Sequence, residues 1–154
     1  MSLRSTDSSD GFSLIEALIV LAIIGIIAAV AYPSYQEQVN SSRRAEAQAA
    51  LLGLSAAMEK YFTANNTYQG AAAGGNDTGR PDIYYDQVPK NGGQAYYNLR
   101  IVAATPTTFL VQATPVNSQV GDGFLDVNHQ GLRRWDKNDN GNAGEAGEDN
   151  WQKD

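Results

Sequence analysis

One carboxylate, Glu16, lies at the start of a long apolar stretch and is the residue there most able to do chemistry. Residues 17–31 read ALIVLAIIGIIAAVA, with no charged residue and no side chain that forms hydrogen bonds. An ionised side chain at mid-membrane costs about 3 kcal/mol on insertion scales, so such a residue usually has a function. Glu16 therefore needs either a positive partner or a position close enough to the membrane surface to reach water.

Gly11 is the small residue best suited to a cleavage point, and it precedes the apolar stretch. An ordinary secretory signal has the reverse order. Cleavage after Gly11 would create an amine on Phe12, one helical turn from Glu16, and such an amine has a reference pKa of about 8. At about 4 Å and an effective dielectric of about 20, their attraction is on the order of 4 kcal/mol. Pairing between chains would then set the register of otherwise featureless helices.

Residues 11–16, GFSLIE, followed by an apolar helix, resemble the class III signal of type IV pilins and pseudopilins. The resemblance implies that a prepilin peptidase cuts between Gly11 and Phe12 and methylates the amine of Phe12. It also implies that Glu16 neutralises that amine during assembly. The leader has Arg4 as its one basic residue and Asp10 beside the cleavage point, so the membrane orientation follows from the resemblance and not from charge.

Residues 12–33 are predicted to be the transmembrane and polymerisation helix, because about 20 residues at 1.5 Å each span a hydrocarbon core of roughly 30 Å. Gly25 lowers the helix propensity by about 1 kcal/mol, and Pro33 costs about 3 kcal/mol in a helix interior. We expect residues 25–33 to bend or melt within an assembled filament. The alternative is a simple kink at Pro33.

The helical pattern resumes after Pro33 with an apolar stripe that should cover a sheet. The stripe comprises Ala47, Leu51, Leu54, Met58 and Tyr61 or Phe62. Residues 70–79 are predicted to be a loop. Residues 96–103 and 108–113 form one predicted hairpin, and residues 124–127 and 132–135 a second. Tyr84, Tyr85, Tyr96 and Tyr97 are interpreted as packing residues.

The carboxyl-terminal residues after 135 are rich in acidic side chains, which favours a mobile, solvated tail. The run DKNDNG at 136–141 nevertheless matches the opening of a calcium loop, with oxygen ligands at alternate positions and a glycine for the turn. The bidentate glutamate of such a loop would fall at Gly147, where the match fails. We therefore expect no cofactor, and a bound calcium ion is the alternative. Its candidate ligands are Asp136, Asn138, Asn140, Glu145 and Glu148.

Catalysis is not indicated by the sequence, and we expect no enzyme. The sole histidine, His129, lies in a predicted turn without a suitably spaced serine or carboxylate pair, and no phosphate-binding glycine loop has a lysine. There is no cysteine for a disulfide or a thiolate metal site. The net charge of -6 opposes general attraction to nucleic acid, so any DNA contact would be local. Candidates for such a contact are Arg100, Arg133 and Arg134.

Further segments that resemble PilE-like minor pilins are residues 43–52, 58–69 and 122–135. The resemblance implies an α+β type IV pilin fold, with the second half of a long helix on roughly four antiparallel strands. We divide the chain into a leader (1–11), a transmembrane helix (12–33), a head (34–135) and an acidic tail (136–154).

The resemblance implies a structural subunit of a type IV pilus, and we expect a minor pilin that acts in pilus assembly or initiation, twitching motility, adhesion or DNA uptake. A type II secretion pseudopilin and a DNA-binding competence pilin are the alternatives. Implied partners are other pilin subunits, the prepilin peptidase and the inner-membrane assembly machinery. The chain would cross the inner membrane once with its head in the periplasm, and would later stand in a cell-surface pilus.

Overall fold

The computed structural model describes residues 13–152, and the chain divides into one compact unit that reaches to Val39 and another that begins at Asn40. The cleavage and methylation residues Gly11 and Phe12 lie outside the described residues. The first element, α1, is a helix of 52 residues from Leu14 to Asn65. Within the first unit, every described residue as far as Gln38 is exposed.

The second half of α1 carries the predicted apolar stripe. Ala47, Leu51, Leu54 and Met58 are fully buried, and Tyr61 and Phe62 pack against the same core at partial exposure. Burial of a large aliphatic side chain contributes about 1.5 to 3 kcal/mol, so the stripe is a main attachment of the helix within the second unit.

The sheet has five antiparallel strands in the described part of the chain, in the order β1-β2-β3-β4-β5. Their bounds are Gln87–Val88 for β1, Tyr97–Ala104 for β2, Phe109–Pro115 for β3, Leu125–Asn128 for β4 and Arg133–Trp135 for β5. The two predicted hairpins are confirmed as β2-β3 and β4-β5. The additional strand, β1, has two residues and pairs with the start of β2. Two residues are too short for an alternating pattern, so the prediction of roughly four strands missed it.

One face of the sheet alternates into the core. Tyr97, Leu99 and Ile101 of β2 are buried, whereas the intervening Asn98 and Arg100 are exposed. Val111 of β3 pairs with Val127 of β4, and both side chains are buried. Because side chains alternate across a strand, this register places one apolar face toward the helical stripe and leaves the polar face outside.

The connection between α1 and β1 is an anchored loop. Ala71 and Ala72 are buried, and Gly79 exchanges two backbone hydrogen bonds with Ile101 of β2, at 2.9 and 2.8 Å. The Tyr84 ring packs directly across Gly53 of α1, where an added Cβ would overlap the ring. The loop predicted around residues 70–79 is thus confirmed, with its path fixed by the sheet edge.

The carboxyl-terminal segment is a folded loop, and the interpretation of residues after 135 as a solvated tail is wrong for the described part. Asp136, Ala143 and Glu148 are buried, and the backbone amide of Trp135 donates to the carbonyl of Glu148 at 2.9 Å. The Trp151 indole Nε1 donates to the carbonyl of Arg134 at 3.0 Å. The acidic composition indicated solvation, but the Asp136 and Glu145 carboxylates accept hydrogen bonds from backbone and side-chain amides, which composition does not reveal.

Candidate functional site

The predicted assembly helix is apolar on all sides in the described part of the first unit. Its large hydrophobic residues from Leu14 to Tyr35 are between 48% and 79% exposed. Its most apolar 18-residue window has a mean hydropathy of 2.9 and no buried residue, which fits a membrane span by length and composition. Such a surface must be covered by lipid or by other chains.

Glu16 lies in the first turn of α1 and is exposed. It stands among these apolar residues, as the sequence predicted, although its proposed partner on Phe12 lies outside the described residues. A carboxylate near a helix amino terminus is also favoured by the helix dipole. Its role in register therefore stays a prediction.

Gly25 and Pro33 lie within the continuous helix in this single chain. No atom outside the local helix lies within 4 Å of a Cβ built on Gly25, so packing in the single chain does not require glycine there. Melting or bending of residues 25–33 was predicted for the assembled filament, and it stays a prediction.

A buried polar cluster that sequence reasoning missed closes the head around Arg44. The Arg44 guanidinium donates to both carboxylate oxygens of Asp122, through Nε to Oδ2 at 2.8 Å and through Nη2 to Oδ1. The Tyr97 hydroxyl donates to the same Oδ2, and the Trp135 indole donates to the Asp122 carbonyl at 2.7 Å. Arg44 also lies over the Trp135 ring, with Cζ 4.0 Å from its centroid. The cluster joins α1, β2 and β5 to the loop before β4.

The cluster changes the electrostatics of Tyr97. Burial and the hydrogen bond to the Asp122 carboxylate raise the pKa of the Tyr97 hydroxyl above its ordinary value. A signal for Arg44 existed in the sequence, since it lies three residues before Ala47 and so falls on the buried stripe. A charged residue at a stripe position indicates a buried ion pair when an acid is available elsewhere.

Two of the three arginines considered for a DNA contact, Arg100 and Arg134, lie in one cross-strand row on the same face of the sheet, and Arg133 does not. Arg134 forms a two-bond ion pair with Asp126, at 2.9 and 2.6 Å. Burial raises the pKa of Asp126, although Arg134 acts in the opposite direction. Arg133, the neighbouring residue on β5, faces the other side and lies over the Trp151 ring at 5.3 Å.

Arg100 is exposed on the polar face of β2 and lines a shallow cavity of about 320 Å³ with Arg80. Arg80 has a loose, exposed ion pair with Asp86 at 3.7 Å. Asp86 lines the same cavity and holds Arg80 only weakly, because exposed ion pairs contribute little.

The predicted calcium ligands converge in the carboxyl-terminal loop. Asp136 accepts the amides of Asn140 and Gly141, at 3.0 and 2.8 Å. Glu145 accepts Asn138 Nδ2 at 3.0 Å and Asn140 Nδ2 at 2.8 Å. Among residues 13–152, no group of three or more acidic, histidine or cysteine side chains is arranged to hold a metal. Any cation would therefore need amide oxygens beside the carboxylates.

The sole histidine lies in the β4-β5 turn, as predicted. Its backbone amide donates to the Phe109 carbonyl at 3.1 Å, and its side chain is at intermediate exposure. In this turn Asn128 Oδ1 accepts the amides of Gln130 and Leu132, at 3.0 Å each. The position of His129 is thus explained by the turn that Asn128 stabilises.

Comparison with known proteins agrees with this architecture. Residues 33–123 match the family described as type IV minor pilin ComP, DNA uptake sequence receptor. Residues 7–32 match the prokaryotic N-terminal methylation motif, which implies processing by a prepilin peptidase. The two matches together cover both the apolar helix and most of the head.

Similar proteins are pilus subunits. Fimbrial protein EcpC of Eikenella corrodens is 36% identical over 115 residues, which cover 73% of this chain and 67% of the relative. Fimbrial protein Q of Moraxella bovis is 38% identical over 60% of this chain and 56% of its own length. Type IV major pilin protein PilE1 of Neisseria gonorrhoeae is 40% identical, and the match spans 44% of each protein.

The long apolar helix, the five-stranded antiparallel sheet and the methylation motif are one consistent set of features. The relatives are structural subunits of fibres, which accords with the lack of a catalytic pattern in the sequence. The chain belongs to the type IV pilin family and is a type IV pilin subunit.

Proposed function

We propose that this chain is a minor subunit of a type IV pilus that takes up DNA. The observation that carries the proposal is the match of residues 33–123 to a minor-pilin family described as a DNA uptake sequence receptor. After cleavage at Gly11, the chain would rest in the inner membrane by one helix, with its head in the periplasm. It would then enter a surface pilus with other pilin subunits, through the inner-membrane assembly machinery.

Assembly would depend on the pairing of Glu16 with the Phe12 amine of a neighbouring chain. Apolar helices pack against each other without a strong preference for one register, since every turn offers a similar surface. An ion pair worth on the order of 4 kcal/mol at about 4 Å would select one register. The exposed apolar side chains from Leu14 onward would supply the remaining contact.

The test of this step is Glu16→Gln, which keeps the shape of the side chain and removes its charge. We expect the variant to insert in the membrane and to be cleaved, but to appear in sheared filaments at less than about a tenth of the parent's level, since 1.4 kcal/mol already changes an equilibrium tenfold. The matched control is Glu37→Gln, an exposed carboxylate further along α1. Equal incorporation of the parent and the Glu16 variant would refute the register role.

The DNA contact would be local, because the net charge of -6 opposes general attraction to phosphates. Arg80 and Arg100 support such a contact, since both are exposed and line one cavity. A contact with few phosphates predicts modest affinity that falls with salt. Each arginine removed should lower the slope of log affinity against log salt by about one.

The experiment measures DNA binding by the full chain in detergent micelles over a range of salt concentrations. We expect Arg80→Gln with Arg100→Gln to weaken binding and flatten the salt dependence. Lys60→Gln, an exposed cation on α1, is the matched control and should change neither. Equal binding by the double variant and the parent would exclude these arginines as the contact.

Deletion of the gene separates a minor from a major role. Loss of DNA uptake with pili still visible by electron microscopy is the expected result. Disappearance of the pili would indicate a major subunit, and unchanged uptake would refute the DNA role. A type II secretion pseudopilin is the less favoured alternative, because the matching family and the relatives named above are pilus subunits.

A further inference from the structure

A buried carboxylate without full compensation lies in the carboxyl-terminal loop. Glu148 is 4% exposed, and its Oε2 accepts no hydrogen bond. Its other oxygen accepts the Asn138 amide at 3.4 Å, the long end of the range for such bonds. An ionised group in this position carries a large desolvation cost unless a positive charge lies beside it. This bond joins the Glu148 side chain to the loop that holds the other predicted ligands.

The loop fixes the oxygens of alternate side chains against its own backbone. Both carboxylate oxygens of Asp136 accept amides from positions 140 and 141. Asn138 Oδ1 accepts the amide of Asn140 at 3.0 Å, and Asn140 Oδ1 accepts that of Asn142 at 2.8 Å. Gly141 provides the turn with a φ of +86°. Three oxygen-bearing side chains at positions one, three and five, with glycine at six, form the opening of a calcium loop.

Glu145 brings a second carboxylate to the same place. Its two oxygens accept the Nδ2 groups of Asn138 and Asn140, so these three side chains form one cluster. Glu148 joins the cluster through the Asn138 amide. The loop therefore joins these side chains by hydrogen bonds. Its three carboxylates are not arranged as a metal-holding group in the described residues, so they would have to close around an ion.

We propose that this loop binds Ca²⁺ through Asp136, Asn138, Asn140 and the carboxylates of Glu145 and Glu148. Calcium takes six to eight oxygen ligands in flexible geometry, whereas Mg²⁺ demands a near-ideal octahedron. Neutral amide oxygens beside carboxylates suit the first ion better than the second. In a regular loop the bidentate glutamate would fall at position 147, which is a glycine here. Glu148, one residue later, takes the place of that glutamate.

The bound ion would hold the end of the chain on the head. The loop is tied to β5 by the Trp135–Glu148 backbone hydrogen bond, and Gln48 of α1 donates to the Trp151 carbonyl at 3.2 Å. The chain has no cysteine, so this closure is not covalent. Calcium would thus act as a clamp that stabilises the head outside the cell.

The test is thermal unfolding of the full chain in micelles of a neutral detergent, with excess CaCl₂ or with chelator. We expect calcium to raise the unfolding midpoint by at least about 5 °C, because a ligand that binds only the folded state stabilises that state. The same concentration of Mg²⁺ should raise the midpoint far less. An unchanged midpoint in calcium, or an equal shift by Mg²⁺, would overturn the proposal.

The decisive variant is Glu148→Gln, which keeps the volume and removes the uncompensated charge. This variant should bind calcium at least about tenfold more weakly, as is usual when a partner in a metal site is lost. Its thermal unfolding midpoint in chelator should be equal to or higher than that of the parent. Asp149→Asn removes an exposed charge from the next residue and is the matched control, with calcium binding unchanged. Equal calcium responses of Glu148→Gln and the parent would refute the role of Glu148.

Terbium luminescence gives a readout on the unmodified chain if a variant fails to fold. Trp135 directly precedes the loop, and its ring centroid lies 5.7 Å from Lys137 Nζ, so its indole should transfer energy to a bound Tb³⁺. Emission that calcium displaces and Mg²⁺ does not is the expected result. Absence of sensitised emission would contradict the site.

Discussion

Replacement of Asp122 by asparagine removes the charge that compensates the buried Arg44. The two side chains are 6% and 9% exposed, and the carboxylate accepts hydrogen bonds from the guanidinium and from the Tyr97 hydroxyl. Removal of one partner of a buried ion pair costs about 3 to 5 kcal/mol, because the remaining charge stays buried. The Trp135 ring lies 4.0 Å from Arg44 Cζ and retains part of the interaction with the cation. We therefore expect a loss of about 3 kcal/mol, at the lower end of that range.

This loss corresponds to a large shift in melting temperature. For a unit of roughly 100 residues, 1 kcal/mol changes Tm by about 4 °C, so Asp122→Asn should lower it by about 12 °C. The assay is tryptophan fluorescence of the full chain in detergent micelles during heating. It reports the cluster directly, since Trp135 is one of its members.

Two controls separate the buried ion pair from a general effect of charge. Asp86→Asn makes the same chemical change in the exposed pair with Arg80 and should cost less than about 1 kcal/mol. Arg44→Met combined with Asp122→Asn removes the buried cation as well and should recover at least half of the loss. A cost for Asp122→Asn no greater than that for Asp86→Asn would refute the reasoning.

Other predictions concern the packing and protonation of the head. Gly123→Ala should cost at least about 2 kcal/mol in an unfolding experiment, because φ is +71° and an added Cβ overlaps the Asp136 carbonyl. Gly121 has a φ of +94° and no atom within 4 Å of an added Cβ, so Gly121→Ala should cost only the backbone strain. Equal costs for the two variants would show that the overlap at Gly123 is relieved. Burial and hydrogen-bonded carboxylates raise the pKa of Tyr96 to about 12 and that of Tyr97 in the same direction. Above about pH 10 the folded chain keeps tyrosine protons that the unfolded chain loses. The contribution of these tyrosines to the free energy of unfolding is therefore fully present below about pH 10 and is lost as the pH rises toward 12. Denaturant unfolding across this range checks the slope, which Tyr97→Phe should reduce, and a flat profile would contradict it.

The sequence predicted those parts of the fold that depend on regular periodicity. The stripe through Ala47 and Leu51 was visible because buried residues recur every three or four positions in a helix. The β2-β3 hairpin was visible because alternating apolar residues flank Thr105-Pro106-Thr107. The structure confirms both, with strand ends shifted by one or two residues.

The parts that sequence reasoning missed are stabilised by polar contacts between distant residues. Arg44 and Asp122 are 78 positions apart, and the local composition around each suggests a solvated charge. The loop after Trp135 has an acidic composition, yet its backbone amides bind those carboxylates. Partners of this kind depend on tertiary geometry, so composition does not identify them, although the stripe position of Arg44 indicated that this residue would be buried.

Mass spectrometry of filaments sheared from the cell surface tests the central claim most directly. The chain must reach the pilus as a processed subunit whose new amine can pair with Glu16. We expect a peptide of this chain that begins at Phe12 and carries a methyl group on its amine. A filament-borne chain that retains residues 1–11, or absence of the chain from filaments in which other pilins are found, would contradict it.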